Sequence, residues 1–242
     1  MNTELVSRDK RYVMDPQQFL VSEIFHSIQG EGRYAGTPSL FIRLCRCNRT
    51  CSFCDTEFNT INRVLTLGEM KEIVDGYPDT TIIWTGGEPL LQFEAIENLA
   101  QMDGSKARHD WHIETDGDFL CNVAEQIPNG ISYDRLFDTI DYLVCSPKGI
   151  NTAKKIYRDL FEYYEEKMMP ELDCFESKVA TDLETTNVDL VPYATSLMPL
   201  SFEDEVKTKE VKKRVAEYCI KNNIRFTSRL QVDIWGFAKR GV

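Results

Sequence analysis

The run Thr80-Thr81-Ile82-Ile83-Trp84-Thr85-Gly86-Gly87-Glu88-Pro89 decides how the rest of the chain is read. Residues 80–85 are β-branched or aromatic, side chains that pack well on a pleated surface, so they predict a strand. Two glycines stop it. Pro89 then opens a helical segment over 89–101, since a proline at a first helical position gives up an N–H that has no partner there. A strand running straight into a helix is half of a βα unit. Working outward, apolar runs at 39–45, 111–114 and 142–145 also read as strands, with weaker ones at 177–181, 194–197 and 225–230. Helices are predicted over 67–77, 119–126, 152–167 and 203–222. The first begins with Thr66-x-x-Glu69, in which hydroxyl and carboxylate satisfy each other's free amides. The alternation predicts an α/β fold, a mostly parallel sheet with helices outside.

At 242 residues, 42% hydrophobic and 28% charged, the chain is read as one globular domain, 1–242, with 151–189 as a surface insertion. No apolar run approaches a bilayer-spanning length and residues 1–15 have no apolar leader, so a cytoplasmic protein is expected, with no membrane partner. The net charge of −11 is unsuited to gripping phosphate backbones, so no nucleic-acid partner is expected and the substrate is read as a small molecule.

Four apolar runs end in compact signatures: Cys45 onward, Thr85–Pro89, Glu114-Thr115-Asp116-Gly117 and Ser146-Pro147-Lys148. In barrel-like α/β folds, sites assemble at the carboxyl ends of strands. Glycine, proline and aspartate also simply terminate strands, and each signature alone favours that plainer reading.

Eight cysteines in a chain expected to stay reduced do not suggest a disulfide framework. Cys121, Cys145, Cys174 and Cys219 are scattered and read as small buried hydrophobes. Cys47-x3-Cys51-x2-Cys54 is different: three thiolates in one loop can hold three irons of a [4Fe–4S] cube that usually takes four. The open iron would accept the amine and carboxylate of S-adenosylmethionine (SAM). One-electron cleavage of the sulfonium would then give a 5′-deoxyadenosyl radical. The rival is structural zinc, with Cys45 as fourth ligand, although Cys45 sits at the end of an apolar strand. Gly86-Gly87 would let a ligand approach the backbone. Glu114 suits ribose hydroxyls, or is a surface carboxylate. Arg43 is unusual on an apolar strand, unless it lies at an edge and reaches solvent.

On these residues the chain resembles the 7-carboxy-7-deazaguanine synthases of the radical SAM superfamily. The resemblance rests on the cysteine triplet with Phe53 before its last member and on Gly86-Gly87-Glu88-Pro89. It extends to Glu23-Ile24-Phe25-His26-Ser27-Ile28-Gln29-Gly30-Glu31-Gly32, Phe41-Ile42-Arg43-Leu44, Cys54-Asp55-Thr56 and Trp235-Gly236-x-x-x-Arg240-Gly241-Val242. It is dense over 19–148, thin through 151–189, and returns near the end. It implies an incomplete (β/α) barrel that contracts 6-carboxy-5,6,7,8-tetrahydropterin to 7-carboxy-7-deazaguanine with loss of ammonia, for 7-deazapurine biosynthesis, with SAM regenerated.

By matching positions, the resemblance implies the cluster on Cys47, Cys51 and Cys54. SAM would be held by Phe53, Asp55, Gly87, Glu114, Ser146, Pro147 and Lys148. Substrate would be held by Ile28, Gln29, Gly30, Thr85 and Arg43, the last meeting its carboxylate with a planar fork. Mg²⁺, which prefers oxygen ligands, would sit on Thr56. An external flavodoxin-like or ferredoxin-like electron donor and a homodimer are implied as well. Three departures stand out. Arg46 occupies a position that is usually glycine, the late SAM segment is only loosely Met198-Pro199-Leu200-Ser201, and Gln231-Val232-Asp233 replaces Gln-x-His. Two other readings remain: a radical enzyme acting on a protein, such as a glycyl-radical activase, and a zinc-binding module.

Overall fold

The computed structural model describes residues 3–5, 14–51, 54, 59–102, 108–120, 131–167 and 174–236. Among these, nine strands form one sheet in the order β11-β10-β9-β8-β7-β6-β3-β2-β5. They are β2 (Gln18–Ile28), β3 (Pro38–Leu44), β5 (Arg63–Thr66), β6 (Thr81–Gly86), β7 (Trp111–Thr115), β8 (Tyr142–Cys145), β9 (Phe175–Thr181), β10 (Ser196–Pro199) and β11 (Arg225–Phe226). From β3 through β11 every neighbouring pair is parallel, while β2 and β5 are added antiparallel. From β6 onward each strand lies beside the next in chain order with helical connections between, the single winding of an incomplete (β/α) barrel; β5 and β11 are the edges of the sheet. A separate antiparallel pair joins β1 (Thr3–Leu5) to β4 (Arg49–Cys51), inside the cysteine loop.

Strand alternation sorts the side chains. Leu40, Ile42, Leu44, Ile82, Trp84, Trp111, Ile113, Leu143 and Phe175 all point to one face. There they meet α1 (Leu67–Asp75), α2 (Phe93–Gln101), α3 (Tyr133–Thr139) and α4 (Ile150–Lys167) through Met70, Val74, Phe93, Ile96, Leu136, Ile156 and Leu160. A second cluster packs α5 (Glu205–Asn222) on Val179 and Leu197 through Val211, Val215 and Cys219. Helices α1 to α5 therefore pack on one face. The opposite face carries Glu23, Arg43, Thr85, His112, Glu114, Tyr142, Glu176, Lys178 and Ser196.

The predicted capping box forms: the Glu69 N–H donates to Thr66 Oγ1, and the Thr66 N–H to Glu69 Oε2 at 2.8 Å. Several expectations need correction. Residues 151–189 are not a surface insertion, because β9 is an inner strand between β8 and β10 and α4 buries Ala153, Ile156 and Leu160. Of the helix expected over 119–126, only 119–120 are described, in a turn, and 121–130 lie outside the described residues. The strand expected over 225–230 is only Arg225–Phe226, and a short helix, α6 (Leu230–Trp235), follows. The second helix starts as a 3₁₀ turn at Pro89–Gln92, with Glu88 as its cap. Strand β2 and helix α3 were not anticipated.

Candidate active site at the strand ends

The cysteine loop leaves the end of β3 and is clamped by the glycine turn that ends β6. The Gly87 N–H donates to the Leu44 carbonyl at 3.1 Å and the Glu88 N–H to the Arg46 carbonyl at 2.9 Å. That approach needs glycine. A Cβ on Gly86, at φ +130°, would lie 2.2 Å from the Leu44 oxygen, and one on Gly87 would lie 1.9 Å from the Arg46 oxygen. Arg46 itself stands at φ 76°, a left-handed conformation in which a Cβ is strained and which glycine would adopt freely.

Cys45 points away from this loop: fully buried, its thiol donates to the Thr60 carbonyl at 3.1 Å. Cys51 is near enough to Cys47 to act on its ionisation, and Cys54 near enough to act on that of Cys51. Burial, then the Glu88 carboxyl, pushes the Cys47 thiol far up, and Asp116 and Cys51 act on it in the same direction. Burial raises Cys51 too, with Lys148 opposing and Cys54 adding to the rise. Among the described residues, no three His, Cys, Asp or Glu converge at metal-ligand spacing, and 52–53 and 55–58 lie outside them. The donor set is three thiols carried on one loop above buried carboxyls, with the thiol of Cys45 turned into the core. A four-thiolate zinc site lacks its last ligand. Three thiols on one loop are the donor type that an iron–sulfur cluster takes.

Beneath the loop lies a buried acidic pedestal. Glu88 accepts from Thr115 Oγ1 at 2.7 Å and from the Asp116 and Leu90 amides at 2.8 and 2.9 Å. Burial and the adjacent Asp116 push Glu88 well above the ordinary carboxylate range; burial and Asp118 raise Asp116. Ser146 and Lys148 join the same corner, the Ser146 N–H donating to the Thr115 carbonyl at 2.7 Å and Lys148 facing Cys51.

The polar face of the sheet continues from this corner. Arg43 pairs in register with Thr85, and Thr85 Oγ1 donates to Glu114 Oε2 at 3.0 Å. Gln29 Nε2 donates to Glu114 Oε1 at 3.1 Å. Arg43 rests over the Phe25 ring and pairs with Glu23 at 3.3 Å. The structure thus brings Gln29, Arg43, Thr85 and Glu114 together, Glu114 standing among the residues expected to hold substrate. Gly30 leaves the space that Gln231 fills: a Cβ there would sit 1.6 Å from Gln231 Oε1. Ile28 pairs with Pro38 in the alternation set of Ile24 and His26, on the face away from Arg43. Phe53, Asp55 and Thr56 lie outside the described residues. Asp233 pairs with Lys212 of α5, so that departure turns away from the site.

Sequence reading missed several residues. Lys178, 6% exposed, donates to Glu31 Oε2 at 2.6 Å and lies 3.9 Å from Glu114. Burial opposes the Glu31 carboxylate, but Lys178 and Arg229 outweigh it and hold the group down at about 2. Burial likewise disfavours the Lys178 cation, yet Glu31 and Glu114 keep it charged. With Tyr142 and Glu176, these residues line a cleft on the polar face. The available signal was a lysine inside the buried strand Phe175–Thr181, the same oddity that marked Arg43.

Residues 41–166 match the family model of the Radical SAM superfamily. A 7-carboxy-7-deazaguanine synthase from Bacteroides thetaiotaomicron is 36% identical over 133 residues, 53% of this chain and 60% of that one. One from Halobacterium salinarum is 28% identical over 249 residues, 90% and 91% of the two chains. The crystal structure of QueE from Escherichia coli has a TM-score of 0.48 at 18% identity, covering 88% of this chain and 94% of that one. The aligned stretch spans 60% and 64% of the first relatives' own length, those from Bacteroides thetaiotaomicron and Thermoplasma acidophilum.

Proposed function

The chain belongs to the radical SAM superfamily, and we propose that within it the protein contracts 6-carboxy-5,6,7,8-tetrahydropterin to 7-carboxy-7-deazaguanine with release of ammonia. Membership implies a [4Fe–4S] cluster and SAM. When bound, they supply the one-electron chemistry that removes hydrogen from carbon.

Cys47, Cys51 and Cys54 hold the cluster in this reading, and Gly87 and the Ser146–Lys148 segment flank the SAM position. Arg43 receives the substrate carboxylate, exchanging its partly exposed pairing with Glu23 for a stronger bidentate one. Gln29, Thr85 and Glu114 orient the ring through donors and acceptors already fixed to one another. Phe53, Asp55 and Thr56 complete the set, Thr56 toward Mg²⁺. An external one-electron donor, a homodimer and a cytoplasmic setting complete the proposal. The observation that carries it is the register of Arg43, Thr85 and Glu114 on the polar face beside the cysteine loop, a cation and a ring-orienting pair next to a radical-generating corner.

The test is turnover. Reconstituted protein, incubated without oxygen with SAM, Mg²⁺, a reductant and the carboxy-tetrahydropterin, should yield 7-carboxy-7-deazaguanine and ammonia by mass spectrometry. Arg43→Ala should keep the cluster and raise KM on the order of a hundredfold, as for a substrate charge left unpaired. SAM cleavage without any change in the pterin would instead favour a protein substrate.

A further inference from the structure

Asp118 joins three segments that the mechanism above leaves separate. Wholly buried, it stands just past the end of β7 and accepts from Arg49 Nε at 2.6 Å, Arg49 Nη2 at 2.8 Å, Asn48 Nδ2 at 3.0 Å and Thr152 Oγ1 at 2.8 Å. Asn48, Arg49 and Thr152 are buried as well. Two of these partners directly follow Cys47, and the third lies in the first turn of α4, just beyond the Ser146–Lys148 segment. The Arg49 N–H points back at the sulfur of Cys47, 3.4 Å away. Arg49 is pinned from its other side by the β1 pairing, Leu5 opposite Arg49.

We propose that Asp118 is a positioning residue for the cluster: by gripping Arg49 and Asn48 together, it fixes the Arg49 N–H against the Cys47 sulfur and ties the cysteine loop to α4. A carboxylate with all of its acceptor capacity engaged is a rigid anchor, and a bidentate guanidinium pair adds fixed direction. Hydrogen bonds to cluster sulfurs are one of the means by which a protein sets a cluster's potential. Asp118 thereby governs how tightly the cluster is kept and how readily it takes an electron, without touching substrate. The inference rests on Cys47, Cys51 and Cys54 being the cluster ligands.

Four proteins separate the possibilities: wild type, Asp118→Asn, Asn48→Ala and Thr152→Val. Each is reconstituted without oxygen and followed by iron and sulfide content, by decay of cluster absorbance under a chelator, and by the midpoint potential from EPR-monitored titration. Thermal unfolding of the metal-free proteins is the control for folding. Asp118→Asn should lose the cluster at least about tenfold faster, as for other partners that orient metal ligands, and shift the potential, the lost anion acting upward and the loosened N–H···S bond downward. Asn48→Ala, which keeps the charge pair, should speed cluster loss by less and move the potential to more negative values, and serves if Asp118→Asn does not fold. Thr152→Val, which cuts only the bond to α4, should leave the potential unchanged. Equal decay rates and potentials in wild type, Asp118→Asn and Asn48→Ala would overturn the proposal. A wild-type protein that takes up no iron would overturn the ligand assignment beneath it.

Discussion

Two buried clusters of ionisable groups lie at opposite ends of the site, and their carboxyls are driven in opposite directions. Under the cysteine loop Glu88, Asp116 and Asp118 are all buried, and the guanidinium of Arg49 reaches Asp118 at 2.6 Å and Asp116 at 3.6 Å. Glu88 and Asp116 are both pushed up. On the polar face, Glu31 lies between Lys178 at 2.6 Å and Arg229 at 3.4 Å, and is held down at about 2. Burial penalises Glu31, Glu88 and Asp116 alike, so burial alone does not decide the sign. The number of cations within reach does. The consequence is functional: the raised carboxyls of Glu88 and Asp116 make the pedestal a poor host for added negative charge, while on the polar face Glu31 and Lys178 hold each other as an ion pair beside the cleft.

The comparison is tested hardest by removing the cations. Arg49→Met strips the pedestal of its guanidinium and leaves Asp118 buried, so urea unfolding of the metal-free protein should report a loss of about 4 kcal/mol. Lys178→Met should cost less, about 3 kcal/mol, because Arg229 still faces Glu31. The reverse order would mean that cation number is not what separates the clusters.

Acid sharpens the contrast. The Glu31 pKa is lowered from its ordinary value near 4.5 to about 2, so the native state binds fewer protons than the unfolded chain between those values. Its contribution is complete above the ordinary range and is lost as pH falls toward about 2. Wild type should therefore exceed Glu31→Gln by about 3 kcal/mol at neutral pH, the gap closing as pH falls toward about 2. Glu88 has the opposite sign: its contribution is present below the ordinary carboxylate range and is lost as pH rises toward its raised value. A gap between wild type and Glu31→Gln that does not change between neutral and strongly acidic pH would contradict the assignment.

The smallest effect concerns the loop beside the pedestal. Arg46 holds a left-handed backbone at φ 76°. Arg46→Gly relieves that strain while freeing the unfolded chain, for a net gain of about 0.5 kcal/mol in unfolding experiments.

The parallel core was legible because Thr81–Gly86 and its neighbours are apolar runs closed by glycine or proline, and the cysteine spacing marked the corner directly. Strand β2 was not. Its register shifts between Val21 and Glu23, so Phe19 and Val21 share the apolar face with Ile24 rather than with Glu23, and strict alternation fails. Helix α3 is two turns long, too short for periodicity to stand out. The surface reading of 151–189 followed the charges of α4, while Ala153, Ile156 and Leu160 of the same helix face inward. Arg43 was visible as a charge on an apolar strand, but its meeting with Thr85 and Glu114 is a matter of sheet register that no local pattern carries. Asp118 and Lys178 were hidden for the same reason: their partners are 69 and 147 positions away.

The central claim is that three thiolates leave one iron free for a cofactor. Mössbauer spectra of protein reconstituted with ⁵⁷Fe, with and without SAM, test it most directly. One iron in four should change its isomer shift when SAM is added, and the other three should not. Four irons that ignore SAM, or a preparation that holds zinc and no iron, would contradict it.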